Sequence, residues 1–181
     1  MTNSASHVVN RNAREREEWG GRRPYKLFAA LQAQPVLGDA LYAQGAVLMD
    51  EMDHRTHELV ALRVGAVREC AYVWAGHVRI ANDLGLTRDE IARIAVGPSV
   101  FSGRDAAVLW AVDHVLANRR MDPATQRMLG EDGVLSVRIA AKFYETVASI
   151  MKDAEPEPDV MPVGGVETPA VARGSYAALL A

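Results

Sequence analysis

One cysteine, Cys70, is the only thiol in 181 residues. No disulfide can close within the chain, and no Cys-rich zinc module can form. Charge of one sign is also missing. Twenty Lys and Arg stand against 23 Asp and Glu, a formal net charge of −3. That balance gives no basic sleeve for nucleic acid and no polybasic anchor for a lipid surface. No apolar run approaches the ~18 residues a bilayer-spanning helix needs. No Asn-Gly or Asp-Gly turn sits between alternating apolar runs, so hairpins have no support. The polar, Arg-rich residues 1–26 lack the apolar stretch of a secretory leader. A reducing cytoplasm is therefore the expected compartment.

What is present reads as helix. Hydrophobic residues make up 49% and charged residues 24%, a globular balance that excludes wholesale disorder. Residues 26–33 and 36–49 are rich in Ala and Leu, and Pro35 suits a first helical turn. Residues 54–68 and 70–84 carry apolar side chains at spacings of three and four, with Gly85 placed as a C-terminal stop. Thr87 and Glu90 form a capping-box pattern opening a helix to about residue 95. Ser102 is a candidate cap for 103–118. Asp122-Pro123 opens a helix ending near Gly130, and 134–152 forms the last one. The expected fold is all-α: a polar arm over 1–23, a helical domain over 24–152 and a tail over 153–181. Asp153 to Glu167 holds five acidic residues and no basic one, and four of the eight prolines fall between 156 and 169.

The chemistry-bearing residues concentrate on two adjacent helices. Cys70 and His77 are seven residues apart, so they project from nearly the same side, with Val73 and Trp74 between them. A chain reversal at Arg68–Glu69 would pack the helices antiparallel and bring Glu58 to the His77 side. An acid, a thiol and an imidazole in an apolar groove form an arrangement that shifts pKa values. The plain alternatives are a core histidine, a cysteine acting as a small hydrophobe and a Glu favouring a helix start. Arg63 could hold a substrate carboxylate, or pair with Glu58 or Glu69. Tyr72 and Trp74 are pocket, interface or core aromatics. His54 and His57, among Asp50, Glu51 and Asp53, read as a solvated helix-start turn rather than a metal site. Asp113-His114 reads as a surface pair.

The run Glu58-Leu59, Arg63, Cys70, Tyr72-Val73-Trp74, His77, Gly85-Leu86 and Asp89-Glu90-Ile91 resembles the carboxymuconolactone decarboxylase / alkylhydroperoxidase D-like superfamily. The motif is a Glu-Leu helix with a following Arg, then Cys-x-x-Cys-x-x-x-His, then Gly-Leu and an acidic pair before Ile. The likeness covers about residues 45–95. It implies a helical bundle with the site on an antiparallel helix pair. It also implies a homo-oligomer, a trimer or hexamer with a dimer allowed, and a site at or near the subunit interface. The peroxidase branch uses a cysteine pair, with Glu and His relaying protons. The decarboxylase branch works on a lactone acid without metal or organic cofactor.

This chain departs from the peroxidase pattern at Val73, the position of the peroxide-attacking cysteine. Cys70 keeps the resolving position, so a disulfide cycle is excluded by counting. The expectation is therefore a cofactor-free acid–base enzyme acting on a small organic acid or lactone. Its reaction would be decarboxylation, isomerisation or ring opening and closure. His77 is the expected proton-transfer group, Glu58 its partner and Cys70 a secondary group; Arg63, Tyr72, Val73 and Trp74 line the substrate. No metal, nucleic acid or membrane partner is expected. Two alternatives stand beside it: a peroxidase-like protein using Cys70 with an external thiol, and a non-catalytic ligand-binding or scaffold oligomer.

Overall fold

The computed structural model describes residues 26–31 and 33–153; the arm over 1–23 and the tail beyond Asp153 lie outside the described residues. Among the described residues there is no strand. The helices are α1 (Lys26–Leu31), α2 (Pro35–Glu51), α3 (His54–Val67), α4 (Ala71–Asp83), α5 (Arg88–Val96), α6 (Gly103–Leu116) and α7 (Pro123–Asp153). A single 3-10 turn, Pro98–Val100, joins α5 to the α6 segment. The all-α reading therefore holds.

The ends of these helices follow local chemistry. Pro35 opens α2, where its missing N–H costs nothing. The Thr87–Glu90 capping box forms as expected: Glu90 N–H donates to Thr87 Oγ1 and Thr87 N–H donates back to Glu90 Oε2. Asp122 accepts from the backbone N–H groups of Ala124 and Thr125, both at 2.9 Å, and starts α7. Ser102 occupies the position before α6 but makes no side-chain cap bond. Gly130 sits inside α7 with φ 71° and ψ 172°, a backbone that glycine adopts without a Cβ penalty. The two expected helices there are thus one element broken at Gly130, with the second part starting earlier than residue 134.

α3 is the centre of the bundle. Thr56 to Leu62, Val64 and Gly65 are all buried, so this helix is enclosed by others rather than lying on the surface. It packs on α4, α5, α6 and α7. Asp53 caps it by accepting from Thr56 N–H at 2.9 Å. The chain turns at Arg68–Cys70, with Glu69 at φ 51° and Cys70 N–H bonded to the Gly65 carbonyl at 2.9 Å. α3 and α4 therefore form the expected antiparallel pair. Gly65 lets them approach: a Cβ there would lie 3.0 Å from Trp74 N and 3.3 Å from Trp74 Cα. Near the turn Gly65 faces Trp74, and further out Glu58 faces His77. α7 closes the other side, with Val137, Ala140, Ala141, Tyr144, Val147, Ala148 and Met151 forming its buried stripe.

Candidate active site

Glu58 lies near the start of α3 and is 1% exposed. A buried carboxylate is costly unless its oxygens are hydrogen-bonded. Both are. Oε1 lies 2.8 Å from His57 Nδ1, and Oε2 lies 2.8 Å from His77 Nδ1. Burial pushes the Glu58 carboxyl up, but the hydrogen bonds from His57 and His77 more than offset it. The group is held at about 2 and is ionised at neutral pH.

An ionised carboxylate only accepts, so both imidazoles present Nδ1–H to it. His57 Nε2 lies 2.8 Å from the Tyr144 hydroxyl. Burial, with the Glu58 charge nearby, pushes the Tyr144 phenol well above its ordinary value, so it keeps its proton. The assignment that satisfies every partner has Tyr144 O–H donating to a neutral His57, which donates to Glu58. His77 also donates to Glu58, leaving its Nε2 with no hydrogen-bond partner among the described residues. The His77 side chain is 14% exposed, against 3% for His57. The chain Tyr144–His57–Glu58–His77 therefore runs from the core to a partly open imidazole. The rings of His77 and Tyr144 meet edge to face at 4.8 Å.

His57 corrects the sequence reading. It is not part of a solvated turn; it is 2% exposed and hydrogen-bonded on both nitrogens. The neighbouring His54 is exposed, so the two histidines part at the first turn of α3. His57 shares a helix face with Val60, Ala61 and Val64, a spacing that marks a buried position. Tyr144 was also missed. It follows Val137, Ala140 and Ala141 on a buried stripe, which signals burial but not its partner.

Arg63 is a second correction. It is not open to a substrate carboxylate. Its Nε and Nη2 hold both Asp113 oxygens, at 2.7 and 2.9 Å. Its Nη1 donates to the Ile94 and Ala95 carbonyls, both at 3.0 Å. Its partner is thus neither Glu58 nor Glu69. Asp113 is not a surface group either; its side chain is 17% exposed. This fork fastens the end of α5 to α3 and α6. A Cβ at Gly97, where φ is 130°, would lie 3.3 Å from Arg63 Nη2.

Cys70 stays apart from the acid–imidazole pair. It precedes α4, two turns from His77, or ~10 Å along the axis. No hydrogen bond joins it to Glu58 or His77 among the described residues. Burial pushes its thiol up, and the Val73 and Tyr72 backbone N–H groups do not offset that. Val73 and Trp74 are 3% and 4% exposed and belong to the core, whereas Tyr72 is half-buried. A surface groove of about 310 Å³ lies elsewhere, lined by Arg55, Glu90, Arg93, Phe101 and Asp105 among others. Its Arg55 is already paired with Glu90 at 2.8 Å and Asp105 at 2.7 Å. As donors for a metal ion, the atoms of His57, Glu58 and His77 lie within 4.8 Å of one another.

Residues 38–115 match the model of the carboxymuconolactone decarboxylase family. That span runs from α2 through most of α6 and includes His57, Glu58, Arg63, Cys70, His77 and Asp113, but not Tyr144. The match covers less than half of the chain, and it makes this helical region similar to that family. A solved structure from Agrobacterium tumefaciens shares its fold, with a TM-score of 0.65 over 72% of this chain and 96% of that one. That protein is described as of unknown function and suggested to be an antioxidant defence protein, AhpD; the two chains are 21% identical. No curated protein matches the chain.

Proposed function

We propose that this protein is an acid–base enzyme of the carboxymuconolactone decarboxylase type, acting on a small organic acid or lactone. The observation that carries the reading is the 2.8 Å bond between His77 Nδ1 and Glu58, which leaves Nε2 of this 14% exposed side chain with no hydrogen-bond partner among the described residues. Glu58 fixes the tautomer, so Nε2 presents a lone pair as a general base. After Nε2 takes a proton, the ionised Glu58 neutralises the imidazolium and the same atom returns the proton. His57 and Tyr144 are positioning residues that hold the carboxylate. The chemistry is proton abstraction and return at carbon or a ring oxygen, sufficient for isomerisation, lactone opening or loss of CO2. It uses no metal or organic cofactor. With Arg63 committed to Asp113, recognition of an acid falls to other groups.

The test is turnover of carboxymuconolactone and a panel of small unsaturated lactones and β-keto acids, followed by NMR in D2O. Wild type is expected to convert or deuterate at least one compound. His77→Ala is expected to lose ~10²–10⁴ in rate. Equal rates for the two proteins would remove His77 from the chemistry. So would a wild type that is silent on the whole panel yet consumes hydroperoxide with an external thiol through Cys70. The buried, raised thiol speaks against that antioxidant reading.

The same proposal places the protein in a reducing cytoplasm as a homo-oligomer. No helix among the described residues is long and apolar enough to cross a membrane. Leu135 and Ile139, one turn apart on α7, are 57% and 41% exposed and offer an apolar contact to a second copy. Native mass spectrometry is expected to show a trimer, hexamer or dimer, and a monomer throughout would reject the assembly.

A further inference from the structure

From the donor geometry we infer that His57, Glu58 and His77 form a binding site for one divalent transition-metal cation, which displaces the proton relay when it enters. The binding site goes beyond the acid–base reading and does not rest on it; the blocking role does. Two imidazoles and a carboxylate are a donor set suited to zinc, iron or nickel. Bonds of about 2.1 Å meeting near a right angle hold their ligand atoms ~3.0 Å apart. The observed separations, His57 Nδ1 to Oε1 and His77 Nδ1 to Oε2, are both 2.8 Å. All the donor atoms lie within 4.8 Å of one another, against the ~4.2 Å that such bonds allow across one ion, so the imidazoles must draw in by up to ~0.6 Å to share it.

The protons have somewhere to go. A neutral imidazole carries one proton, and moving it from Nδ1 to Nε2 frees the inner lone pair. At His57 the new Nε2–H meets the Tyr144 oxygen, which accepts at the same 2.8 Å. A metal-bound histidine is commonly oriented by such a bond on its other nitrogen. At His77 the proton moves to Nε2, which has no hydrogen-bond partner among the described residues, and this ring, 14% exposed, is the most accessible of the three ligands. Glu58 needs no deprotonation, since it is already ionised. Once an ion is bound, the carboxylate can no longer hold His77 in the tautomer with a free Nε2. The site is therefore either protonic and active or metal-loaded and blocked.

The experiment titrates chelator-treated, full-length protein with Zn2+ by calorimetry and with Co2+ by visible absorption. Wild type is expected to take one ion per chain, with Co2+ bands of imidazole–carboxylate ligation. His77→Ala should weaken binding by more than 100-fold, because it deletes a ligand. Tyr144→Phe, which keeps the ring, should weaken it ~10–100-fold. His54→Ala and His114→Ala, outside the cluster, should leave binding unchanged. Absence of stoichiometric binding, or loss of binding in the His54 or His114 variants only, would overturn the site. That result would leave His77-dependent turnover standing, whereas turnover unaffected by saturating Zn2+ would overturn the blocking role alone.

Discussion

Replacing Arg63 with alanine is expected to cost about 3–5 kcal/mol of stability while leaving the Glu58–His77 pair in place. The side chains of Arg63 and Asp113 are only 11% and 17% exposed, so solvent does little to screen the charge left behind. Asp113 would lose both donors at once, and the Ile94 and Ala95 carbonyls would lose theirs. Those carbonyls close the last turn of α5, so its attachment to α3 should loosen first. The melting temperature should fall by roughly 6–20 °C for a chain of this size. Arg63→Lys should recover only part of the loss, because an ammonium cannot span two carboxylate oxygens and two carbonyls together. Arg63→Met combined with Asp113→Leu should recover more, since neither charge then remains buried alone. Calorimetry on these variants decides between the two roles of this residue. An unchanged melting temperature with a tenfold rise in KM for an acidic substrate would restore Arg63 as a carboxylate clamp.

Arg63 also shows where reading the sequence stops. Its place three residues after Val60 and five after Glu58 is visible, and its charge suggests a carboxylate partner. The partner that wins is Asp113, fifty residues away, chosen by how α6 crosses α3. Local signals carry no such information. By contrast, the Thr87–Glu90 box, Pro35, Asp122-Pro123 and the turn before Cys70 are settled within a few residues, and each appears where the sequence places it. The Glu58–His77 meeting was legible for a related reason: a short turn between two periodic helices leaves little choice but antiparallel packing. His57 was hidden by its neighbours. Asp50, Glu51, Asp53 and His54 suggest solvent, yet α3 starts at His54 and rotates His57 to the face of Val60, Ala61 and Val64. Tyr144 needed the third helix, whose approach to α3 no local pattern specifies.

Glu58 is the position where charge, stability and the proposed chemistry coincide, and its two simplest variants should separate them. Glu58→Ala leaves buried His57 and half-buried His77 with Nδ1–H groups that have no acceptor, and opens a void between α3 and α4. A loss of about 3–5 kcal/mol is expected. Glu58→Gln keeps the shape. Its amide oxygen can accept from one imidazole, but its NH2 must face a lone pair on the other. His57 is held by Tyr144 O–H, so His77 is the ring that turns its proton out to Nε2. The free base is then gone, and turnover should fall ~10²–10⁴ with a stability loss of about 2–3 kcal/mol, smaller than for alanine. The pH dependence follows from the depressed carboxyl, at about 2 in the folded chain against an ordinary 4.5. Its stabilising contribution is fully present above about pH 4.5 and is lost as pH falls towards 2. It amounts to on the order of 3 kcal/mol. Wild type should therefore exceed Glu58→Gln in denaturation midpoint at pH 6, and that advantage should shrink steadily below pH 4.5. A difference that stays constant from pH 6 to pH 3 would show that the hydrogen bonds from the two histidines do not hold the buried carboxylate ionised.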